Sequence, residues 1–431
     1  MNIRSVWYCA WTTIAAILLI LTPLSAATAE TRYLAIDLGT LGGPQSFAGD
    51  INEEKQITGN ASVEPGRNFP LQAFRWKNGS MTNLGTLPGA ANDFSRGFGI
   101  NDAGTIVGES GNGPSFAFRA DNGVLTQLPS LNFDGTGVAN DINNAEQIVG
   151  ASTNTEGTVR AYLIEGNAIH DLGTLEGSEF SSGRAFGINA KGQIVGISGR
   201  STDSSLPSQA TLWRPTGRPG KFILSNLGSL GDGNLFSEAA AISDRGIVVG
   251  RSTVPESSSR ERAVRWRKGR IADLGDLGFN NSRATDVNNV GQIVGFASTF
   301  QNFPTLGGAA FLWEHGVLTD LNKLIPTDTG WELLAAQAIN DKAHIVGFGR
   351  LNGNTRAFLL VPNCSAADFN NDDKLNIRDV TQFLFAVKTR DPLADFNQDG
   401  NVNRADARAF FNFFKPCLDD DDEDDDSDDD D

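Results

Sequence analysis

The sequence predicts an all-β, seven-bladed β-propeller whose ring is closed by strand exchange, followed by a small α-helical module. Three observations lead to this prediction. A unit of about 47 residues recurs seven times. The phase of that unit leaves one unmatched strand at each end of the repeat array. A second repeat, rich in Asp and Asn and offset by 27 residues, follows the array.

Composition agrees with a turn-rich β protein. The 431 residues include 48 Gly but only 2 Met and 3 Tyr, and 39% are hydrophobic, which is enough for a core. The formal net charge is −17, but twelve of the last thirteen residues, Asp419–Asp431, are acidic. Without those twelve charges the body of the chain carries only −5. Nucleic acid is therefore excluded as a partner, because its phosphates require a basic face.

The N-terminus has the pattern of a secretory signal peptide over residues 1–29. Arg4 supplies positive charge, Ile14–Leu21 is a short apolar run, and Ala27-Thr28-Ala29 is a small-x-small cleavage site. A membrane anchor is the alternative, but the run is well short of the ~20 residues needed to span a bilayer. We therefore expect a bacterial protein that is secreted or held at the cell surface, with no transmembrane anchor in the mature chain.

The first part of each repeat predicts a strand, a tight turn and a second strand. An Asn (Ser in the fifth repeat) stands seven residues before a glycine that ends an Ile-Val-Gly-like triplet. We call this residue the turn asparagine. A side-chain cap from Asn or Asp and a small residue that tolerates positive φ are typical of such turns. The turn asparagines are Asn52, Asn101, Asn143, Asn189, Ser243, Asn288 and Asn340, and the glycines are Gly59, Gly108, Gly150, Gly196, Gly250, Gly295 and Gly347.

Two further elements complete a four-stranded blade. The third is an Ala followed by aromatic or β-branched residues, which suit a face packed between sheets. The fourth carries two leucines three apart, most often within Asp/Asn-Leu-Gly-Thr/Ser-Leu. The third elements begin at Ala73, Ala117, Ala161, Ala210, Ala263, Ala310 and Ala357. The leucine pairs are Leu38/Leu41, Leu84/Leu87, Leu128/Leu131, Leu172/Leu175, Leu227/Leu230, Leu274/Leu277 and Leu321/Leu324.

The phase of the repeat predicts how the ring closes. The chain opens with a fourth element, Tyr33–Leu41, and its last repeat stops after the third element, Ala357–Val361. In a ring the N-terminal strand completes the last blade and removes a free sheet edge. An open solenoid would gain nothing from this arrangement. We predict seven blades within residues 30–361, with six or eight as alternatives.

The repeat region resembles the HAF-repeat extracellular proteins over roughly residues 33–361. Those proteins share the Ile-Asn-x-x-Gly-x-Ile-Val-Gly phrase and a His-Ala-Phe triplet. Here the triplet reads Gln72-Ala73-Phe74, Phe116-Ala117-Phe118 and Arg356-Ala357-Phe358, without the His. The family's closing phrase is matched by Asp320-Leu321-Asn322, Pro326 and Gly330-Trp331. The resemblance implies an exported repeat protein and no assigned activity.

Residues 364–417 contain two loops with the ligand spacing of a calcium-binding EF-hand. Ca²⁺ takes six to eight oxygen ligands, which an EF-hand loop supplies from positions 1, 3, 5, 7, 9 and 12. We therefore predict two calcium sites. The first set is Asp368, Asn370, Asp372, Lys374 (through its carbonyl), Asn376 and Asp379. The second is Asp395, Asn397, Asp399, Asn401, Asn403 and Asp406. A merely solvated Asp/Asn-rich loop is the alternative.

Each loop precedes an apolar stripe at helical spacing: Val380, Phe383, Leu384 and Val387, then Ala407, Phe410, Phe411 and Phe414. Asp373 stands at the sixth position of loop 1, where Gly makes the sharp bend in an EF-hand. Loop 2 has Gly400 there, so we expect loop 1 to bind Ca²⁺ more weakly.

The module resembles the dockerins whose two loops are bracketed by cysteines. With Cys9 inside the predicted signal peptide, Cys364 and Cys417 remain, and two cysteines in an exported protein favour one disulfide. The dockerin resemblance implies attachment to a cohesin-like receptor. The usual Ser/Thr recognition pair is replaced by Ile377-Arg378 and Arg404-Ala405, so we expect an unidentified surface protein or glycan as partner. The tail that follows, 418–431, is a like-charge block predicted to be disordered.

The sequence favours a binding or display protein over an enzyme, and a monomer. His170, His315 and His344 fall at different repeat positions and are interpreted as incidental surface residues. Gly108-Glu109-Ser110-Gly111 and Gly196-Ile197-Ser198-Gly199 are the repeat's own Gly and Ser rather than nucleophile motifs. Most acids of the repeats are assigned to structural turns: Asp102, Asp141, Asp244, Asp286 and Asp341. No catalytic residue is predicted. The alternative is a glycan hydrolase or lyase with unidentified carboxylates.

Overall fold

The computed structural model describes residues 32–420 except 90–93, 112, 133, 176–180, 202–206, 232–234, 300–306, 371–374 and 397–399. The predicted signal peptide and residues 421–431 of the acidic tail lie outside these residues. Seven four-stranded antiparallel sheets follow one another along the chain. The predicted seven-bladed propeller is therefore confirmed.

Six blades are built from four consecutive strands each. Blades 1 to 3 contain β2 (Ser46–Ile51), β3 (Ile57–Ser62), β4 (Leu71–Lys77), β5 (Ser80–Gly85), β6 (Ser95–Ile100), β7 (Ile106–Ser110), β8 (Phe116–Asp121), β9 (Val124–Gln127), β10 (Gly137–Ile142), β11 (Ile148–Thr153), β12 (Val159–Glu165) and β13 (Ala168–Asp171). Blades 4 to 6 contain β14 (Ser181–Ile188), β15 (Ile194–Ser201), β16 (Gln209–Pro215), β17 (Phe222–Asn226), β18 (Ser237–Ile242), β19 (Val248–Val254), β20 (Ser257–Arg267), β21 (Arg270–Asp273), β22 (Asn281–Val287), β23 (Ile293–Ser298), β24 (Gly308–Glu314) and β25 (Val317–Asp320).

The seventh blade takes its strands from both ends of the chain, as the repeat phase predicts. Its order is β1 (Tyr33–Asp37), β28 (Asn354–Pro362), β27 (Ile345–Leu351) and β26 (Trp331–Ile339). β1 runs antiparallel to β28, with Tyr33 opposite Pro362 and Asp37 opposite Phe358. Strand-exchange closure of the ring is confirmed, and it covers what would otherwise be the free edge of β28.

The fourth strands are shorter than the leucine pattern suggests. β1 ends at Asp37, and Leu38 and Leu41 lie beyond it. The Asp37 carboxylate accepts a hydrogen bond from the Gly39 amide, and Gly39 has φ of +81°. This Asx turn ends the strand and directs Leu38 into the core between blades 7 and 1. The same Asp/Asn-to-Gly bond ends β5, β13, β17 and β21.

The first strand of every blade carries a β-bulge, which accounts for the repeated glycine of the second strand. In blade 1 the pairing register shifts between Ala48 and Asp50, so Gly49 is unpaired. Equivalent shifts occur in the other six blades. The bulge brings a carbonyl of the first strand against the facing glycine. A Cβ on Gly59 would overlap the Phe47 carbonyl oxygen, and the other six glycines meet the same obstacle. Only glycine fits this close approach.

The third strands supply the packing between blades. Their leading alanines are at most 2% exposed, and Phe74, Phe118, Tyr162, Phe311 and Phe358 are fully buried. Serine hydroxyls on the first and second strands accept hydrogen bonds from backbone amides of the preceding blade. Ser95 Oγ accepts from the Ala73 amide of the preceding blade, and Ser110 Oγ accepts from the Leu87 amide. Ser198 likewise accepts from the Leu175 amide. This supports a structural role for the two Gly-x-Ser-Gly phrases.

The C-terminal module contains two helices, α1 (Ile377–Thr389) and α2 (Arg404–Asp420). Phe383 and Phe410 stack at its centre with ring centroids 4.0 Å apart. Asn376 and Asp379 form a capping box at the start of α1. The predicted apolar stripe is partly wrong, because Leu384 and Phe411 are 41% and 42% exposed. Packing uses a narrower face of each helix. No described helix is long and apolar enough to cross a membrane.

One arginine joins the module to the ring. Arg32 is 2% exposed, and its guanidinium pairs with Glu314 of blade 6 at 2.8 Å. The same guanidinium lies over the ring of Phe396 in the module, 5.0 Å from the centroid. The Arg32 carbonyl accepts from the Asn363 amide, just after β28. Arg32, which directly precedes β1, therefore contacts both parts of the protein.

Candidate functional site

The first strands of the seven blades line a central channel whose two ends differ in chemistry. At one end, which we call the turn mouth, lie the turn asparagines and the residues that follow them. At the other end lie Phe47, Phe98, Phe186, Phe296 and Phe348, and we call it the aromatic mouth. The repeat phrase accounts for the first end and says little about the second.

Hydrogen bonds to the next blade, made by six of the seven turn residues, run around the turn mouth. Asn52 Nδ2 donates to the Asn101 carbonyl, and Asn340 Nδ2 donates back to the Asn52 carbonyl across the closure of the ring. Asn101, Asn143, Asn189 and Asn288 donate to the next blade in the same way. The turn asparagine also caps its own turn, as predicted; Asn52 Oδ1 accepts from the amides of Glu54 and Gln56.

A second ring of side chains surrounds the first. Asp102 accepts from the Glu53 amide, Asp244 from Ala190, Asp341 from Asn289, and Glu53 from Asp341. Burial raises the pKa of Glu53 to about 7, and the charges of Asp341 and Asp102 act in the same direction. The structural interpretation of Asp102, Asp244 and Asp341 is supported, with the addition that each links two blades.

Asp141 and Asp286 were wrongly assigned to turns. Together with Asp50 they lie inside the channel, on the first strands of blades 3, 6 and 1, just past the bulge. Each carboxylate bridges two blades. Asp141 accepts from Ile142 of its own blade and from Ile188 of the next, at 2.7 and 2.8 Å. The bulge turns these side chains away from the position that an unbroken strand would give them.

Burial outweighs these hydrogen bonds in setting the acidity of the three carboxyls. It raises the pKa of Asp141 to about 7 and that of Asp286 to about 6. It raises the pKa of Asp50 well above its usual range, and the charges of Asp141 and Asp286 add to the effect. The folded protein therefore holds these protons more tightly than the unfolded chain does.

We expect the free energy of unfolding to decrease as pH rises from about 4 to about 8 through these groups. A carboxyl whose pKa is raised on folding stabilises the fold while it is protonated, and that contribution is lost as it ionises. Urea titrations at several pH values measure the slope. Asp141→Asn keeps a neutral side chain throughout and should make the slope shallower than in wild type. An unchanged slope in this variant would show that Asp141 ionises normally.

The aromatic mouth is built from positions at which the residue type differs between the seven blades. The bulged residue, three before the turn asparagine, points into the channel in every blade. We call this set the bulge ring. Its neighbours along the strand are nearly constant, with Ala or Gly before it and Ile or Val two residues after it. The bulge ring itself consists of Gly49, Phe98, Asn140, Phe186, Ala240, Thr285 and Gln337.

A wider rim surrounds the bulge ring and is equally varied. Each rim member is a cross-strand pair between the first and second strands of one blade. The pairs are Phe47/Asn60, Arg96/Glu109, Val138/Ala151, Arg184/Ile197, Glu238/Arg251, Arg283/Phe296 and Ala335/Phe348. Phe47 and Phe348 touch edge to face across blades 1 and 7, with centroids 5.2 Å apart.

A network of ion pairs between side chains lies at the rim of blades 5 and 6. Glu238 pairs with Arg283 at 2.7 Å and with Arg251 at 3.0 Å, and Arg251 also pairs with Glu261 at 2.9 Å. Although burial opposes it, the surrounding arginines lower the pKa of Glu238. Burial lowers the pKa of Arg283, and the neighbouring Arg251 charge contributes. Sequence reasoning missed this network because Glu238, Arg251 and Glu261 of blade 5 and Arg283 of blade 6 occupy positions that the other repeats do not keep.

The aromatic mouth encloses a cavity of about 590 Å³. Phe side chains, two arginines (Arg96 and Arg283) and the polar groups of Asn60, Asn140, Thr285 and Gln337 line it. This mixture of apolar walls with a few polar groups, at this volume, is typical of small-molecule and peptide sites.

The predicted calcium ligands fall into two groups. Asp372, Lys374, Asn397 and Asp399 lie outside the described residues, as does Asp373. Of the others, Asp379 and Asp406 are fully buried at the starts of their helices. Asp379 accepts from the amides of Asn370 and Asn376, and Asp406 accepts from Asn403. Asp395 accepts from Gly400, and the Asn401 carbonyl accepts from Asn403. Both loops therefore fold back onto the twelfth-position carboxylate.

One buried oxygen in loop 1 fits the chemistry of a cation ligand. Asn370 Oδ1 is buried and accepts no hydrogen bond from the described residues, and Asp368 is 8% exposed beside it in the sequence. A buried oxygen without a donor is costly unless a cation binds it. No group of three or more His, Cys, Asp or Glu residues suited to a metal occurs among the described residues. Asp372 and Lys374, two of the six predicted loop 1 ligands, lie outside them.

The structure bears on the predicted disulfide and on one of the three histidines. The predicted Cys364–Cys417 disulfide stays a prediction, because the side chain of Cys417 is not described. His344 is fully buried, so its interpretation as a surface residue was wrong. Its amide donates to Asn340 Oδ1 and its ring contacts Asn340 Nδ2. It takes the place that Gln147 and Gln193 occupy in other blades.

Comparison with known proteins finds one family model that matches part of the chain and several solved structures of low identity. Residues 173–372 match the family described as "Protein of unknown function (DUF3466)". No curated protein sequence matches the chain. Among solved structures, it is similar to a puromycin-hydrolysing peptidase of Mycobacterium tuberculosis (12% identity, TM-score 0.45, 75% of this chain and 50% of that one). It is also similar to the β-propeller domain of the Trilobed protease of Pyrococcus furiosus (9% identity, TM-score 0.43, 74% and 96%).

The chain therefore spans only half the length of the mycobacterial peptidase. A third similar structure is YCF48 bound to D1 peptide, at 11% identity and a TM-score of 0.40, with 77% of this chain and 97% of that chain covered. At these identities the likeness extends to the fold alone.

Proposed function

We propose that this chain is an exported binding or display protein of a bacterium. The propeller presents a ligand site at the aromatic mouth, and the C-terminal module attaches the protein to a surface partner in a calcium-dependent way. The observation that carries this proposal is the bulge ring. The blades share Ala or Gly before the bulged residue and Ile or Val two residues after it, but they differ at the bulged residue itself, which lines the cavity in every blade. Such variation builds an asymmetric surface on a symmetric scaffold.

The rim chemistry supports binding over catalysis. The rim carboxylates are paired with arginines: Glu238 as described, and Glu109 with Arg96 at 3.9 Å. A lowered pKa makes Glu238 a poor general acid at neutral pH. A glycan hydrolase would need two carboxyls ~5–9 Å apart around its substrate. No Asp or Glu is among the described residues that line the cavity.

Sedimentation with the cell envelope of the source bacterium tests the two roles separately. The mature chain, residues 30–431, should pellet with the envelope in Ca²⁺ and much less in chelator. A module variant, Asp379→Ala with Asp406→Ala, should lose this calcium-dependent pelleting. A mouth variant, Phe186→Asp, should keep it but lose ligand captured from solubilised envelope. Pelleting unaffected by chelator would contradict the attachment role.

Two calcium ions are the cofactors that we propose for the module. Loop 1 would hold its ion with Asp368, Asn370, Asp372, Asn376, Asp379 and the Lys374 carbonyl, and loop 2 with the matching residues from Asp395 to Asp406. The buried Oδ1 of Asn370 and the buried Asp379 and Asp406 support this assignment. When bound, the ion neutralises the crowded carboxylates, so that metal binding and folding of the module are coupled.

The two calcium sites should be unequal, because Asp373 replaces the flexible glycine of loop 1. Asp395→Ala should weaken the tightest measured affinity by about tenfold or more, since it removes a charged ligand. Asp368→Ala should have a smaller effect on that affinity, and Asp373→Gly should strengthen the weak site. Calorimetric titration of the non-reduced mature chain measures all three. No calcium heat at all would remove the dockerin-like assignment, whereas two equal sites would refute only the role of Asp373.

The attachment partner that we propose is a surface protein or glycan, a class that includes cohesin-like receptors. A Cys364–Cys417 bridge would close a loop of about 54 residues and stabilise so small a module by roughly 4 kcal/mol. The similarity of the repeats to HAF-repeat proteins and of the module to dockerins remains part of this proposal.

A further inference from the structure

The aromatic mouth offers an apolar wall to its ligand. Phe98 and Phe186 stand in the bulge ring on blades 2 and 4. Phe47 and Phe348 contact each other on the rim of blades 1 and 7, and Phe296 lies on the rim of blade 6. Aromatic walls of this kind contribute to binding mainly by burying apolar surface, and they favour aromatic or alkyl groups over strongly hydrated ones.

The charges of the mouth are unbalanced toward positive. Arg96 and Arg283 line the cavity. The rim pairs hold four arginines (Arg96, Arg184, Arg251, Arg283) but only two glutamates (Glu109, Glu238). Glu261, on the third strand of blade 5, adds one more carboxylate beside Arg251. Glu238 forms ion pairs with both Arg251 and Arg283, and the carboxylate of Glu109 is 3.9 Å from Arg96 Nε. An anion in the cavity would supply the missing negative charge, and arginine is suited to carboxylates in particular.

The remaining polar groups are neutral. Asn60 and Gln337 carry amides at the cavity wall, and Thr285 donates to the Val294 and Ala336 carbonyls. Amide side chains can both donate to and accept from a peptide-like group in the ligand. A volume of about 590 Å³ lies within the range of pockets for drug-sized ligands.

We infer that the aromatic mouth binds a carboxylate carried on an apolar body, with the acid at Arg283 or Arg96 and the body against the phenylalanines. This inference rests on the proposed binding role of the propeller and names the class of ligand. Two sources share this chemistry: a free apolar carboxylic acid and the C-terminus of a peptide that ends in an apolar residue.

Calorimetric titration of the mature chain with matched probes tests the inference. N-acetyl-phenylalanine should bind at least about tenfold more tightly than its uncharged amide, because a charge-assisted hydrogen bond is lost in the amide. The peptide Gly-Gly-Phe, with a free or an amidated C-terminus, separates the two sources. Preferential binding of the free-acid peptide assigns a peptide end, and binding of N-acetyl-phenylalanine alone assigns a small acid.

Single substitutions test which side chains bind the carboxylate and which bind the apolar body of the ligand. Arg283→Gln and Arg96→Gln should each reduce the preference for acid over amide, and Phe98→Ala should weaken acid and amide alike. Arg119→Gln is the matched control, because Arg119 pairs with Asp121 and Glu146 on blades 2 and 3, away from the cavity. Thermal melts confirm that each variant is folded; Arg96, with a side chain 43% exposed, is the safer of the two arginine changes.

Three results would overturn the inference: equal affinity for acid and amide, no heat from any probe at millimolar concentration, or a loss in Arg119→Gln equal to that in Arg283→Gln. The proposed binding role can hold even when the inferred ligand class is wrong. If Phe186→Asp abolishes capture of envelope ligand while acid and amide probes bind equally, the mouth is a binding site for some other ligand class.

Discussion

Deleting residues 33–41 from the mature chain should lower its melting temperature by about 10 °C or more. The deletion removes β1 and exposes the edge of β28, leaving blade 7 with three strands. It also removes Tyr33 and Leu38, which are 0% and 3% exposed, and a buried side chain of this size contributes about 1.5–3 kcal/mol. A loss of 1 kcal/mol corresponds to about 2–4 °C in a large domain. Calorimetric melts measure the shift.

Two controls separate ring closure from simple truncation. Deleting residues 421–431 should leave the melting temperature nearly unchanged, because it removes only like charges. Within β1, Tyr33→Ala should cost several degrees, whereas Leu34→Ala should cost little since Leu34 is 47% exposed. Equal melting temperatures for the two truncations would refute the role of β1 in closing the ring.

Gly196→Ala should destabilise the propeller by about 3 kcal/mol, although it adds a single methyl group. The new Cβ would overlap the Arg184 carbonyl oxygen and approach the Ala185 Cα to 2.9 Å. Both obstacles are backbone atoms of the bulged strand β14, so no side-chain rotation can relieve them. Urea unfolding of the mature chain measures the loss.

Gly183→Ala is the matched control, because Gly183 lies in the same sheet and its added Cβ would meet nothing closer than 3.5 Å. It should change stability by less than about 1 kcal/mol. If both substitutions cost the same, the loss reflects backbone conformational entropy, and the repeated glycine is not explained by the close approach at the bulge.

The ring could be predicted because its parts recur. Seven copies of one phrase show strand, turn and strand wherever the turn asparagine and the later glycine keep their spacing. The unpaired elements at Tyr33 and Ala357 also fix the closure. Symmetric roles, such as the capping by Asn52 and the burial of Ala73, follow from residues that every blade shares.

The proposed ligand-binding end could not be predicted, because its residues do not recur from blade to blade. The bulge adds one residue to each first strand, and no pattern of alternation marks it in advance. It carries Asp141 and Asp286 from expected turns into the channel, and it aims Phe98 and Phe186 into the cavity. Phe98 and Phe186 precede the turn asparagine by three residues, so a comparison of that column across the repeats would have identified it as a variable position within the strand.

The claim that the aromatic mouth is the ligand site is tested most directly by hydrogen–deuterium exchange. The mature chain is compared alone and with the envelope ligand that it captures in Ca²⁺. We predict added protection in β2, β6, β22 and β26, around Phe47, Phe98, Arg283 and Gln337, and none at the matching turn mouth residues Asn144 and Asn289. Protection confined to the C-terminal module or to the outer strands of the blades would contradict the account.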